Sequence, residues 1–80
     1  MDKPITVGRI VHYVLPDGPY AGDVRPAIVV RVWNQDLGAV NLQVFTDQSN
    51  DGFDTGVVWA TSVVHDQETK KPRTWHWPEY

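Results

Sequence analysis

Ala39-Val40-Asn41-Leu42-Gln43-Val44-Phe45-Thr46 is the stretch on which the fold turns. Val40, Leu42 and Val44 fall on one side of an extended chain, and Asn41, Gln43 and Phe45 on the other. Successive side chains of a strand leave opposite faces, so this alternation reads as a β-strand with one face buried. Immediately upstream, Asn34-Gln35-Asp36-Leu37-Gly38 is turn-forming, and before it comes a second β-rich run, Pro26 to Trp33. In that run Ile28, Val30 and Val32 share one face, and Ala27, Val29, Arg31 and Trp33 the other. Two such runs across a short polar turn predict neighbouring antiparallel strands.

Working outward, three more strands are predicted. The first covers Ile5 to Leu15, with Arg9 near its start. Val7, Val11, Tyr13 and Leu15 line one face, and Ile10, His12 and Val14 the other. Because it is apolar on both sides, its second face should be partly covered. The fourth strand covers Gly56 to Val64, and a short fifth, Thr74 to Trp77, ends at Pro78. Turn residues separate the runs at Pro16-Asp17-Gly18-Pro19, from Asp47 to Asp54 and from Gln67 to Pro72. No window carries sustained helical periodicity with caps, so no long helix is expected. Five strands with a long first connection, Pro16 to Val24, match a small SH3-like barrel. The expected fold is all-β, with residues 1–80 forming a single domain. An OB-like barrel would need a helix between the third and fourth strands, for which there is no room.

The bulk properties restrict function. The formal net charge is −3, whereas nucleic-acid binders usually carry a basic excess. The 41% hydrophobic content holds no run long enough to span a bilayer. Met1-Asp2-Lys3-Pro4 is polar and is not expected to begin a signal peptide. The absence of Cys points to a reducing cytoplasm. Four Trp in 80 residues are more than a small core can hide, and surface aromatics serve recognition.

Two resemblances add to this reading. Gly8-Arg9-Ile10-Val11-His12-Tyr13, Arg25-Pro26-Ala27-Ile28-Val29-Val30, Val40-Asn41-Leu42-Gln43-Val44-Phe45 and Thr74-Trp75-His76-Trp77-Pro78-Glu79 resemble stretches of small tailed-phage and prophage proteins. That likeness covers most of the chain and implies a viral or prophage origin without an activity. The opening strand, a loop with Gly18 and Gly22, and the Arg25-Pro26 start of the second strand are similar to the SH3-like MazF/PemK-type toxins. Those toxins are endoribonucleases, and the resemblance implies roles for Arg25 and for Thr46 at the end of the third strand. It covers little more than half of the chain and lacks the family's helical C-terminal part.

Several constellations can be weighed for chemistry. Arg25 can stabilise a pentavalent phosphate, Thr46 can hydrogen-bond to it, and His12 can serve as base. The structural alternative pairs Arg25 with Asp23 or Asp47. His12, His65 and His76 do not have zinc-ligand spacing, and no metal or cofactor is expected. Asp47, Ser49, Asp51 and Gly52 match the first half of a calcium loop, but position twelve is Val58 and strands flank the loop, which reads as a polar connection. Lys70, Lys71 and Arg73 form a small basic cluster before the aromatic tail. Trp75 and Trp77 share a face. They either pack the barrel or line a pocket with Tyr20, Trp33 or Trp59.

The leading expectation is a non-enzymatic binding module of phage type in the host cytoplasm. Its ligand-binding residues would be Tyr20, Arg25, Trp33, Trp75 and Trp77, and its partner a host protein or a small anionic molecule such as a nucleotide. Edge strands add the expectation of a homo-oligomer. The alternatives are an endoribonuclease using Arg25, Thr46 and His12, and a structural accessory of the virion.

Overall fold

The computed structural model describes residues 3–79; Met1 and Asp2, half of the polar start read above, lie outside the described residues. Its strands are β1 (Ile10–Val14), β2 (Val24–Asn34), β3 (Ala39–Phe45), β4 (Val57–His65) and β5 (Thr74–His76), with one 3₁₀ turn at Gln48–Asp51. They close into a five-stranded barrel in the order β1-β2-β3-β4-β5, a small SH3-like barrel. β3 is the central strand. It pairs antiparallel with β2 through Ala27↔Val44 and Val29↔Leu42, and with β4 through Leu42↔Ala60 and Val44↔Val58. The alternation that predicted β3 is the observed one: Val40, Leu42 and Val44 are fully buried.

β2 departs from its predicted faces. A bulge between Val29 and Arg31 leaves Val30 as an extra residue, and a second irregularity follows Val32. A bulge shifts the pleat by one residue. Ala27 and Val29 point inward, but past the bulge it is Val32 that packs on the core, while Arg31 and Trp33, expected on the face of Ala27 and Val29, face solvent.

β1 is shorter than the predicted Ile5–Leu15. Gly8 adopts φ +94°, and the Arg9 amide donates to the Thr6 carbonyl, so the chain turns before the strand begins. Val7 and Arg9, expected on the inner face, are exposed. Ile5 nevertheless reaches the core by another route. Its amide donates to Gln35 Oε1 at 3.1 Å, and its carbonyl accepts from Gln35 Nε2. The expected cover on the second face of β1 exists at buried Val14 but not at exposed Ile10.

β5 closes the barrel. It runs antiparallel to β1 (His12↔His76, Tyr13↔Trp75) and parallel to β4 (Val64↔Thr74, His65↔Trp75). The short β5 reaches only Val64 and His65 of β4, so it covers one end of that strand's edge. Trp75 is the largest fully buried side chain, and its indole N–H donates to the Gly38 carbonyl at 2.7 Å. Gly38 has φ +67°, and a Cβ there would lie 2.5 Å from His65 Cβ, so only glycine fits beside this strand. The last strand stops one residue before the predicted Trp77. Gln67 takes over there: its Oε1 accepts the Trp77 amide at 2.8 Å and its Nε2 donates to the Trp77 carbonyl at 3.2 Å.

Candidate functional site

The five predicted ligand-binding residues do not converge. Trp75 lies in the core with its only polar atom bonded, so it offers no surface to a ligand. Tyr20 is exposed in the β1–β2 loop, where its carbonyl accepts the Asp23 amide. Arg25 and Trp33 lie near opposite ends of β2, separated by eight residues or roughly 26 Å of strand. Trp77 is half-buried beyond the end of β5.

The catalytic alternative is only partly juxtaposed. The Ala27↔Val44 register, continued by two residues, sets Arg25 across from Thr46. Both side chains are engaged there. The Arg25 guanidinium grips Asp51 with two bonds, Nε at 2.7 Å and Nη2 at 2.5 Å, and Nη1 donates to its neighbour's carbonyl. The Thr46 hydroxyl donates to the Thr55 carbonyl at 2.7 Å. His12 pairs with Pro26 in register while Arg25 pairs with Tyr13, so His12 and Arg25 leave opposite faces of the ladder. The expected partners Asp23 and Asp47 are therefore replaced by Asp51. The 3₁₀ turn carries Asp51 inward, where its side chain is fully buried and also accepts the Asp47 amide at 2.7 Å. The bonds from Arg25 hold the Asp51 carboxyl below its ordinary range, and those to Asp51 raise the guanidinium further. Asp51 is the residue the calcium-loop pattern contained, and its oxygens are occupied by protein. Among the described residues no group of three His, Cys, Asp or Glu is placed to hold a metal ion.

A surface the sequence reading missed runs across the outer face of β2, β3 and β4. Phe45 pairs with Val57, and Gln43 sits between Ile28 and Trp59. Trp59, Trp33, Val57, Val30 and Phe45 remain 60%, 53%, 46%, 41% and 40% exposed. The two bulges build one end of this face. The Asn41 side-chain oxygen accepts the Trp33 indole N–H, the Thr61 hydroxyl and the Ser62 amide, each at 2.9 Å. Arg31 lies over the Trp33 ring at 3.9 Å. Trp33 is thus held at its edge and covered on one face, leaving the other face to solvent. At the β4 side, Trp59 borders an open groove of about 390 Å³ lined also by Tyr13, Pro16, Asp17, Thr61 and Arg73. Ser62 and Arg73, which also lines this groove, have positive φ of 55° and 69°. The signal for this face was present in the outward positions of β3 and β4, Phe45, Val57 and Trp59. It was masked because β4 alternates less cleanly than β3.

Compared with known proteins, the chain matches no family model, no curated protein and no solved structure.

Proposed function

We propose that the chain is a binding module that docks a protein through the outer face of β2–β3–β4. The observation that carries this reading is the row of exposed aromatic and aliphatic residues at Phe45, Val57, Trp59 and Trp33. Solvated sheet faces normally carry polar residues, and so many exposed large apolar side chains on one sheet face are typical of interfaces. Its composition favours protein over polyanion, because the face itself is mainly apolar and its cation Arg31 already covers Trp33. The resemblance to phage proteins favours a host protein as the partner.

The test is affinity capture from host lysate with the native chain and with Trp59→Glu. A partner held by the native protein should be released by the variant, with affinity falling about thirtyfold or more. The melting temperature should change little, since Trp59 projects from the barrel. Equal retention of that partner by both proteins would overturn the proposal. The ribonuclease reading has no observation of its own to favour it, given the engagement of Arg25 with Asp51 and the opposite face taken by His12.

A further inference from the structure

Away from that face, the start of the chain and its aromatic tail meet beside β1. Lys3, Gly8, Arg9, Ile10, Trp77 and Pro78 line an open groove of about 410 Å³. We propose that this groove binds a small aromatic anion of mononucleotide size, stacked on Trp77 and held through its phosphate by Lys3 and Arg9.

The argument begins with the platform. Trp77 is fixed before any ligand arrives: Gln67 bonds both its amide and its carbonyl, and its ring meets the buried Trp75 edge-on with centroids 5.1 Å apart. A pre-positioned ring gives up little entropy on stacking. Ile10, exposed at the end of β1, and Pro78 supply apolar walls. Gly8 leaves the floor open, since a Cβ on it would meet nothing within 4 Å.

Charge then selects the ligand. Among the described residues no carboxylate lines the groove, and neither Lys3 nor Arg9 has an ion-pair partner. Glu79, next to Pro78 in the sequence, is turned to Lys70 at 2.9 Å. Lys3 instead places its ammonium over the Trp77 ring at 5.3 Å. A cation–π contact at an exposed site is weak, so a phosphate offers Lys3 a better partner and vacates the ring for a base. The chain as a whole is at −3, which opposes a long polyanion but not one phosphate between two cations. Volume agrees, because about 300–1,000 Å³ is the usual range for small-molecule sites. This inference uses none of the residues of the docking face and holds whether or not that face binds a protein.

The experiment is a titration of the native protein with adenosine 5′-monophosphate at low ionic strength, followed by amide and indole NMR shifts. The Trp77 indole and the Gly8, Arg9 and Ile10 amides should shift saturably. Adenosine and inorganic phosphate should each bind about tenfold or more weakly than the monophosphate, since each keeps only one of the two contacts. Lys3→Gln with Arg9→Gln should weaken binding at least about tenfold, whereas Lys71→Gln, which removes a charge that does not line the groove, should bind like the native protein. Trp77→Leu should lose the preference for the monophosphate over phosphate. Absence of saturable shifts, shifts confined to other residues, phosphate binding as tightly as the monophosphate, or equal weakening by Lys71→Gln would each overturn the proposal.

Discussion

Gln35 and Gln67 make the same pair of bonds near opposite ends of the chain and use them differently. Each side-chain amide bonds both the N–H and the C=O of one residue, as a neighbouring strand would. Gln35 reaches from the β2–β3 turn to Ile5, whose side chain is buried and fills the barrel's end. Gln67 reaches from the β4–β5 connection to Trp77, whose ring is half-exposed over the Lys3–Arg9 groove. One clamp serves packing and the other serves presentation. Identical local chemistry has different consequences because the clamped side chains meet different surroundings.

Trp75 joins the two clamps, and removing it should have the largest effect. Its indole N–H bonds Gly38 at the end of the turn that carries Gln35, and its ring backs the Trp77 that Gln67 holds. Trp75→Ala should cost about 3–5 kcal/mol, through lost burial and the cavity left behind. In so small a domain that approaches the whole of ordinary stability. Trp75→Phe should retain much of the packing but leave the Gly38 carbonyl unpaired, costing about 1–3 kcal/mol. Thermal or urea denaturation gives the magnitudes. Hydrogen exchange sharpens the comparison, because both the Ile5 and Trp77 amides should lose protection in Trp75→Phe. Loss at one end alone would show that the clamps do not communicate through this ring.

The single-clamp variants come next. Gln35→Ala leaves the backbone of a buried residue without its partners and should cost about 1–3 kcal/mol. Gln67→Ala acts at a half-exposed residue where water can substitute, and about 1 kcal/mol or less is expected. The order should reverse for exposure of Trp77: fluorescence quenching by acrylamide should rise in Gln67→Ala and change little in Gln35→Ala. Equal destabilisation by the two variants would break the distinction drawn between packing and presentation.

Both clamps lie beyond what the sequence displays, and the reason is physical. Strand β3 was legible because its burial has period two and nothing interrupts it. The fold class followed from β3, the flanking runs and the turn residues between them. Bulges are another matter, since Val30 is no different in type from Val29, and only cross-strand pairing reveals which residue is extra. Once the pleat shifts there, Arg31 and Trp33 no longer share the face of Ala27 and Val29 and lie on the solvent side. The clamps join residues 30 and 10 positions apart through side-chain amides, a contact for which no local pattern exists. Asp51 was hidden in the same way. Its neighbours read as a polar loop, and only the 3₁₀ turn, closed by Gly52 at φ +84°, brings its carboxylate under Arg25. Of the candidate site residues, Trp33, Trp75 and Trp77 stood out as aromatics to be explained, but whether Trp75 and Trp77 pack the barrel or line a pocket was open. Trp75 has the same residue type and the same tail, and differs only in pairing with both β1 and β4.

The smallest expected effect is a pH dependence confined to the second clamp. His76 lies beside Trp77 in the sequence, is buried, and its Nδ1 has no hydrogen-bond partner among the described residues. Burial holds its pKa below the ordinary 6.5, with Lys70, His12 and His65 acting in the same direction and Glu79 opposing them. Below about pH 6.5 the unfolded chain therefore takes up a proton that the folded barrel resists. Stability from this residue is complete above that pH and declines as the pH falls toward the depressed folded value. Because His76 is tied to the Gln67 end, exchange of the Trp77 amide should accelerate between about pH 7.5 and about pH 5.5, relative to Ile5 and after correction for intrinsic rates. His76→Gln removes the titrating group and should flatten that difference. A parallel response at Ile5 in the native protein would mean that protonation loosens the whole barrel, and the two ends would then have to be regarded as one cooperative unit.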